Sequence, residues 1–578
     1  MSGATVRWGI ALVLAVAFTA FGVWKSERQG RLASVPNYDD AVYFLSATRL
    51  IESGRSEGLG GVTEELRSEG LHSAWAVGLA VAGLLATDYA DWGPYAMNVF
   101  VVLGFLVALS WMWRELRGWE WGSGLVFFLA TPFATLAVVE FRPDLAWAVA
   151  VGICGVYGLV VPGYLAAGSW WRGPRVWHAV LCAVALLVKP STFAMTLIVF
   201  AYSVGMRVVI ESLAAGRVPW RAIGRTAWVQ VLVVVVLTAV YAVPFGADTW
   251  AYFWTNSFGA NEAIWRAPVS VTQKWLYYAT GFGAANNLGW AGLTLLGVMV
   301  AAVAINMLGV GGSAEGEHRG LGRRGADCIG SEMLPEGRGE RERASQRRRG
   351  WRGCRGTLVW VALGGLVLLT YLLSSGFGMK SPFLGGAFTG TFLFAGAWAW
   401  REVFGFRISN FGFRIGGWRR WGAVGLAVVA VLIWRWPPYA WAQAGESGRN
   451  FAAVEGQVIE VLEELPLRKR VRLLFTQSGP LMRENVEMWL LERGHRTSAV
   501  KGGFLPSVER FRDKLKRADV VFVQDPGMSD AFMNLPAERM MDELRETMRG
   551  ATAFKLAGDA VGTDGKQVYV YVRKAALR

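Results

Sequence analysis

The sequence predicts a polytopic α-helical membrane protein with a soluble α/β domain at its C-terminal end. Of its 578 residues, 53% are hydrophobic, and 29 Trp and 31 Phe make it too aromatic for an ordinary soluble protein. Several apolar runs reach the roughly 20 residues that a membrane-spanning helix needs. After residue 436 these long runs stop, which predicts where the soluble domain begins.

About eleven spanning helices are predicted from the apolar runs. The first run lacks a convincing small-residue cleavage site, so we interpret it as an uncleaved helix rather than a signal peptide. One further apolar segment, 73–89, is nearly long enough to span, and its assignment decides the topology. The predicted spans are 7–24, 95–113, 122–139, 145–162, 176–190, 191–210, 227–246, 285–309, 356–375, 383–400 and 421–436.

The basic loops favour an interfacial helix at 73–89. With this assignment they all fall on one side of the membrane, as the positive-inside tendency requires; a spanning 73–89 would move them all outside. We therefore predict a multi-pass protein of the cytoplasmic (inner) membrane, with a cytoplasmic N-terminus and an extracytoplasmic C-terminal domain. Topology then explains the net charge of +15, and no nucleic-acid partner is predicted. The loops are 114–121, 170–175, 205–225, 319–355 and 406–420.

The chain thus divides into a membrane domain, 1–436, and an extracytoplasmic α/β domain, 437–578. In the membrane domain, 25–94 is the first external loop with interfacial helices, and the Gly- and Arg-rich segment 310–355 is predicted to be a disordered cytoplasmic loop. In the C-terminal domain, apolar runs such as VRLLFTQ and DVVFVQD alternate with amphipathic segments, which indicates a partly parallel sheet covered by helices. The four cysteines lie in predicted spans or the basic loop, so we predict no disulfide framework.

Isolated ionisable residues lie at the membrane boundary on the predicted external side. Such groups are costly near hydrocarbon unless they are paired or face a wet cavity, so together they could line one pocket. The alternative explanation for each of them is an independent helix cap or an interfacial anchor. These residues are Asp39, Asp40, Arg49, Glu140, Arg142, Asp144, Lys189 and Lys380.

The stretch NYDDAVYFLSATRLIESG resembles the first external loop of the GT-C glycosyltransferases, a superfamily that includes the protein mannosyltransferases and the lipid A aminoarabinose transferases. The loop of that superfamily typically has Asp-Glu, then Tyr, a small residue and Gly. The matching positions here are Asp39, Asp40, Tyr43, Ala47 and Gly54. Asp40 departs from the pattern, because Glu is common there, and the interfacial segment opens as LHSAW without the Pro often found in the family.

Later features follow the same order as in this superfamily. In EFRPDLAW, Asp144 stands where members often have an acidic residue in the second external loop. ALLVKPSTF resembles their Leu-rich segment that ends in Lys-Pro or Lys-Gly, which places Lys189 at an external hairpin. Many members also carry a soluble external C-terminal domain.

The resemblance implies transfer of a sugar from a polyprenyl-phosphate donor to a hydroxyl of a lipid, glycan or protein acceptor on the external face of the membrane. The acceptor needs a base, and the leaving lipid phosphate needs cations to meet its growing charge. Asp39 is the predicted base, with Asp40 beside it as a second catalytic candidate. Metal use varies across the superfamily, so the resemblance leaves a divalent metal open. For the phosphate the candidates are Lys189, Arg142 and Lys380, and the supporting residues are Asp144, Tyr43 and Arg49.

Two functions from other classes are weighed against the transferase. A transporter or flippase of lipid-linked glycans predicts charged or Gly/Pro-broken residues in the middle of spans and detectable inverted repeats. A non-catalytic membrane scaffold with an external binding domain predicts that Asp39, Asp144 and Lys189 do not meet in space.

Overall fold

The structure is a computed structural model of the chain. A multi-pass helical domain comes first, and a small α/β domain follows it. The structure describes residues 3–29, 32, 38–69, 73–165, 173–259, 261–265, 269–307, 337–376, 383–405, 416–434, 446–476, 481–528 and 535–577. The helices of the membrane domain are α1 Gly3–Gln29, α2 Tyr38–Glu69, α3 Ala74–Ala86, α4 Trp92–Ala96, α5 Val99–Met112, α6 Gly118–Leu129, α7 Pro132–Val139, α8 Pro143–Val160, α9 Pro174–Val188, α10 Phe193–Ala215, α11 Trp220–Ser257, α12 Glu262–Trp265, α13 Val271–Leu276, α14 Phe282–Asn287, α15 Gly289–Met307, α16 Gly337–Gly376, α17 Gly386–Gly405 and α18 Gly416–Leu432.

Seven stretches among the described helices are long and apolar enough to cross a membrane, which confirms the predicted multi-pass class. They are Thr5–Gln29, Trp92–Met112, Pro143–Val160, Pro190–Ala215, Trp220–Ser257, Gly289–Asn306 and Gly356–Gly376. The bent pair α6 and α7 makes an eighth if it forms one span. Ala74–Ala86 is a shorter apolar helix, so the predicted interfacial segment is helical, while the count of eleven spans stays a prediction.

The predicted span 122–139 is broken into two helices, α6 and α7, which are bent by 61°. The break has a local cause at Thr131 and Pro132. Proline lacks the N–H that would continue α6, and it disfavours helical geometry in the residue before it. The Thr131 side chain then accepts a hydrogen bond from the backbone N–H of Ala134, so α7 starts as a newly capped helix.

Two other helices extend beyond the predicted boundaries. α11 runs to Ser257, well into the predicted external loop 247–284, with Pro244 inside it. α16 begins at Gly337, so residues 337–355 of the segment predicted to be disordered are helical instead. A helix propagates from an existing apolar segment at much lower cost than it nucleates, which explains this extension.

The central helix of the membrane domain is α8. In its apolar stretch, 94% of the residues are buried inside the protein, against 17% in α11, so α8 forms the centre and α11 the periphery. α17 packs against α8 through glycines: a Cβ on Gly390 would lie 1.9 Å from the carbonyl oxygen of Ala148. Small residues permit this close approach of two helix backbones. The N-terminal end of α8 begins at Pro143, directly after the EFR segment.

The C-terminal domain is the predicted partly parallel sheet covered by helices. Its five strands lie in the order β2-β1-β3-β5-β4. β1 is parallel to β2 and β3, while β5 is antiparallel to β3 and β4. The prediction missed β2, because RTSAVK has no apolar run, and it missed α19. The elements are α19 Glu446–Glu463, β1 Arg470–Phe475, α20 Arg483–Glu492, β2 Arg496–Lys501, α21 Val508–Leu515, β3 Val520–Gln524, α22 Met541–Arg549, β4 Phe554–Val561 and β5 Gln567–Arg573.

This domain docks onto α2 of the membrane domain. The Arg49 guanidinium donates a hydrogen bond of 2.5 Å to the fully buried Glu487 carboxylate on α20. Ala41, at the start of α2, is buried with Phe451 and Met482 of the C-terminal domain. The C-terminal domain therefore packs against the first turns of α2, beside the acidic pair.

Candidate active site

The first ion pair of the candidate site joins α2 to the segment before α8. Arg142 Nη1 donates a hydrogen bond of 2.8 Å to Asp39 Oδ2. The Asp39 side chain is 54% exposed and the Arg142 side chain 10% exposed, so the carboxylate faces solvent while the cation is held in the protein. Arg142 Nε also lies 3.7 Å from Oε2 of the fully buried Glu140, and its guanidinium lies 4.0 Å from the centre of the Phe383 ring. These contacts fix the orientation of Arg142.

The second ion pair joins Asp144 to Lys189. Asp144 is in the first turn of α8, and Lys189 is the C-cap residue of α9. The Lys189 ammonium donates a hydrogen bond to Asp144 Oδ1, and both side chains are largely buried. The charges of a buried pair are screened much less by salt than those of an exposed pair.

Tyr43 connects the two pairs electrostatically. Burial raises the pKa of the Tyr43 phenol well above its ordinary value, and the carboxylates of Asp39 and Asp144 raise it further. The Tyr43 ring also contacts Phe141, the residue before Arg142, so the phenol lies beside the segment that carries Arg142 and Asp144, one member of each pair. The structure brings together five residues that were predicted to share a site: Asp39, Tyr43, Arg142, Asp144 and Lys189.

The two members of the acidic pair have different surroundings. Asp40 is fully buried and accepts a hydrogen bond of 2.5 Å from the Tyr95 hydroxyl of α4. Successive positions on a helix face different directions, so one carboxylate of the pair points to solvent and the other into the protein. Asp40 thus contacts the scaffold and does not share the exposed position of Asp39.

An aromatic cluster holds α2 against the segment that carries Arg142. Phe141 makes edge-to-face contacts with Tyr43, Phe44 and Tyr95, at centroid distances of 6.3, 5.6 and 6.1 Å. Such pairs contribute about 0.5–1.5 kcal/mol each beyond the area they bury. The cluster therefore fixes Asp39 and Arg142, which flank it in the sequence, relative to one another.

Buried polar side chains hold the two loops in place. The Asn98 amide donates hydrogen bonds to the carbonyl oxygens of Val138 and Glu140, at 3.2 and 3.0 Å. The Ser73 hydroxyl, at the start of α3, donates a 2.6 Å hydrogen bond to the carbonyl of Val188, next to Lys189. The predicted interfacial helix thereby positions the lysine hairpin.

Tyr252 was not predicted, because it lies in the unexpected extension of α11. Its phenol is close enough to interact electrostatically with Tyr43. Phe193, just after the lysine hairpin, holds this end of α11 through its contacts with Phe253 and Trp250, at 5.0 and 5.7 Å. The signal in the sequence is the aromatic run WAYFW, which continues the helical pattern past Pro244.

Arg49, predicted as a supporting residue, lies at the interface with the C-terminal domain instead. It binds Glu487 of that domain and lies 3.9 Å from Glu65 of its own helix. Lys380 lies outside the described residues, as does His72.

Asp39 and Asp144 are each bound by a cation of the protein. In the described part of the chain, no group of three or more His, Cys, Asp or Glu is arranged to hold a metal. A divalent metal stays a prediction, because such an ion is often held by one or two carboxylates together with substrate phosphates and water.

Solved structures resemble this fold over nearly the whole chain. The crystal structure of ArnT from Cupriavidus metallidurans in the apo state has a TM-score of 0.53 and 13% sequence identity, and the match covers 98% of each chain. ArnT bound to undecaprenyl phosphate gives a TM-score of 0.48 at 13% identity, covering 98% of each chain. The archaeal oligosaccharyltransferase AglB from Archaeoglobus fulgidus, in complex with an inhibitory peptide and a dolichol-phosphate, gives 0.43 at 13% identity, covering 98% of this chain and 74% of AglB.

No protein-family model matches the sequence, and no curated protein matches it. We assign the fold from the likeness to apo ArnT, whose TM-score is above 0.5. At 13% identity the likeness concerns the fold and not the activity. The likeness to apo ArnT leads to one conclusion: this chain has the fold of ArnT, as its resemblance to the GT-C glycosyltransferases predicted.

Proposed function

We propose that this protein transfers a sugar from a polyprenyl-phosphate donor to an acceptor hydroxyl, at the site formed by Asp39, Arg142, Asp144 and Lys189. The observation that carries the proposal is the meeting of two carboxylate–cation pairs at the ends of helices, around one buried phenol. The fold, shared with ArnT, supports a lipid-linked donor. The orientation predicted from the basic loops places the reaction on the external face.

In the proposed reaction the acceptor oxygen attacks the anomeric carbon of the sugar. The bond from that carbon to the phosphate oxygen breaks, and its electron pair stays on the polyprenyl phosphate. The acceptor proton passes to the Asp39 carboxylate, the exposed one of the acidic pair. The products are the glycosylated acceptor and polyprenyl phosphate.

Arg142 and Lys189 are the proposed partners of the donor phosphate. Each cation is held in the protein by a carboxylate, so it is oriented before the donor arrives. When the phosphate binds Arg142, the guanidinium no longer needs Asp39 to balance its charge, and Asp39 becomes available as a base. Asp144 keeps Lys189 in place, and buried Asp40 positions the start of α2 through Tyr95.

The two alternative functions fit these observations less well. The scaffold predicts no convergence of Asp39, Asp144 and Lys189, whereas Asp144 binds Lys189 and Asp39 binds Arg142, two residues before Asp144 in the chain. The transporter predicts ionisable residues in the middle of spans. Asp144 and Lys189 instead lie at the first turn of α8 and at the C-cap of α9.

The experiment measures release of polyprenyl phosphate, the product common to all sugars of this class. The purified full-length protein in proteoliposomes is supplied with a panel of polyprenyl-phosphate sugars and bacterial envelope lipids or glycans as acceptors. We expect Asp39→Asn to lower the release rate about 10²- to 10⁴-fold, the usual contribution of a general base. The matched control is Glu64→Gln, which removes an exposed carboxylate from the same helix and should change nothing.

Asp39→Asn should change the free energy of unfolding by no more than about 1 kcal/mol, because the Asp39 side chain is mostly exposed and Arg142 keeps the Glu140 carboxylate at 3.7 Å. Retained release in a folded Asp39→Asn protein rules out Asp39 as the base. Absence of release by the parent protein with every donor rules out the transferase.

A further inference from the structure

A cavity lies at the opposite end of the helical bundle from the candidate active site. Its volume is about 540 Å³, within the range of ligand pockets. Val160, at the last turn of α8, lines it, while Asp144 begins the same helix. Sixteen residues of helix separate them, which is about 24 Å. The cavity is therefore a site of its own, at the end that carries the basic loops.

The walls of this cavity combine an apolar part with a charged mouth. Trp111, Tyr157 and Trp360 supply aromatic surface. The ring centroids of Trp111 and Tyr157 are 5.1 Å apart, so these two rings pack against each other. Arg114 and Glu115 at the mouth are exposed, while Met112 on the wall is buried. A molecule with a charged head group and an apolar body would therefore fit the charged, exposed part and the apolar, buried part of the cavity.

Two of the three arginines in the walls are already neutralised. Arg207, almost fully buried, donates to Glu211 at 2.8 Å and to the carbonyl of Leu159 at 2.9 Å. Arg401 donates to Glu115 at 2.5 Å and lies 3.9 Å from Glu402. These contacts use the charge of both guanidinium groups within the protein.

Arg114 is the arginine of the walls that remains for a ligand. Within the described part of the chain, no carboxylate lies within ion-pair distance of its side chain. Its backbone is nevertheless fixed, because Arg7 donates hydrogen bonds to the carbonyls of Trp113 and Arg114, at 3.2 and 3.0 Å. The cavity thus offers one guanidinium without a carboxylate partner among the described residues, on a fixed stretch of backbone, together with aromatic side chains in the walls.

We propose that this cavity binds the phosphodiester headgroup of one membrane lipid, with Arg114 donating to the phosphate and Trp111, Tyr157 and Trp360 packing against the glycerol and acyl carbons. The phosphate would bind Arg114, the arginine of the walls that has no carboxylate partner among the described residues. Basic pockets between membrane helices, on the side of the basic loops, bind phosphate headgroups in this manner. Guanidinium is also suited to phosphate, because its planar donors form paired, charge-assisted hydrogen bonds.

The test is a lipid titration of the full-length protein, read by native mass spectrometry. The probes are phosphatidylglycerol, phosphatidylethanolamine and diacylglycerol with identical acyl chains, each added to delipidated protein. We expect one saturable adduct with the two phospholipids and at least about tenfold weaker binding of diacylglycerol. Arg114→Gln should weaken the phospholipid adduct about tenfold, as the loss of a charge-assisted contact predicts.

The control variant is Arg117→Gln, which removes an exposed arginine from the same turn without touching the cavity. It should change binding less than twofold. If Arg114→Gln and Arg117→Gln weaken phospholipid binding equally, general surface charge binds the lipid. If diacylglycerol binds as tightly as the phospholipids, the phosphate has no role in binding. Both outcomes overturn the proposal. Competition of inorganic phosphate with the lipid at equal concentration would identify a free-anion site instead, which also overturns it.

Discussion

Replacing Arg49 by methionine should loosen the C-terminal domain from the membrane domain. Arg49 is nearly buried, and the Glu487 side chain that it binds is not exposed at all. Leaving one charge of such a pair without its partner costs about 3–5 kcal/mol. Glu487 keeps a contact of 3.3 Å with Arg483 and a hydrogen bond of 3.1 Å from Thr497, which places the cost at the low end, about 3 kcal/mol.

The assay is the labelling rate of a cysteine placed in the interface. Met482 is 6% exposed and is buried together with Ala41 of the membrane domain and Phe451, so Met482→Cys should react with a thiol reagent when the domains separate. The labelling rate then reports the open fraction. A loss of about 3 kcal/mol corresponds to about 100-fold faster labelling. Cys328 and Cys354, which lie in the predicted basic loop, are replaced by Ser so that they do not add to the labelling signal.

A second ion pair between the same domains is the control. Arg496 binds Glu57, but the two side chains are 61% and 46% exposed. Exposed pairs contribute about 0–1 kcal/mol, so Arg496→Gln should accelerate labelling no more than about fivefold. If Arg49→Met and Arg496→Gln accelerate labelling equally, burial of the Arg49 pair does not hold the domains together, and the reasoning fails.

Three further predictions concern packing, a buried hydrogen bond and pH. Gly390→Ala should destabilise the membrane domain by at least about 3 kcal/mol in unfolding measurements, because the added methyl overlaps a backbone carbonyl of α8, whereas Gly364→Ala has open space and should stay within about 1 kcal/mol. Tyr95→Phe should cost about 1–3 kcal/mol in the same measurement, since it removes a hydrogen bond to the buried carboxylate of Asp40; an unchanged unfolding free energy contradicts this. Burial raises the pKa of Glu455 from 4.5 to about 7, so the folded protein holds a proton that the unfolded chain releases, and stability should fall as pH rises from about 4.5 to about 7. Glu455→Gln should flatten that part of a thermal-unfolding pH profile, and an unaltered slope would assign it to other groups.

The sequence alone predicted a multi-pass helical protein with a C-terminal α/β domain because long hydrophobic runs, and the point where they stop, are local signals. The same signals missed the break at Thr131 and the extension of α11. Average hydropathy reports how much apolar sequence is present, while a Thr-Pro pair and an aromatic run after Pro244 decide where a helix bends or ends. β2 was missed for a related reason, since pairing with β1 holds it in the sheet and its own composition is polar.

At the site, the sequence predicted the residue types and not their pairing. The Arg142–Asp39 bond joins positions 103 residues apart, and no local pattern encodes such a contact. Arg142 was expected to face the donor phosphate, and here it binds Asp39. Asp39 and Asp40 carry the same side chain, so the sequence does not separate their roles. In the folded protein they differ, because Asp39 faces solvent while Asp40 is buried and bound by Tyr95.

The length of α11 has a consequence for the depth at which a substrate would bind. At 1.5 Å per residue its 38 residues extend about 57 Å, nearly twice the roughly 30 Å of bilayer hydrocarbon. A large part of α11 must therefore lie beyond the acyl chains or tilt strongly across them. In the predicted orientation, the end that carries Tyr252 would lie at the depth of the headgroups. The donor of the proposed reaction would then reach Lys189 by lateral diffusion within its own leaflet, while its prenyl tail remains among the acyl chains.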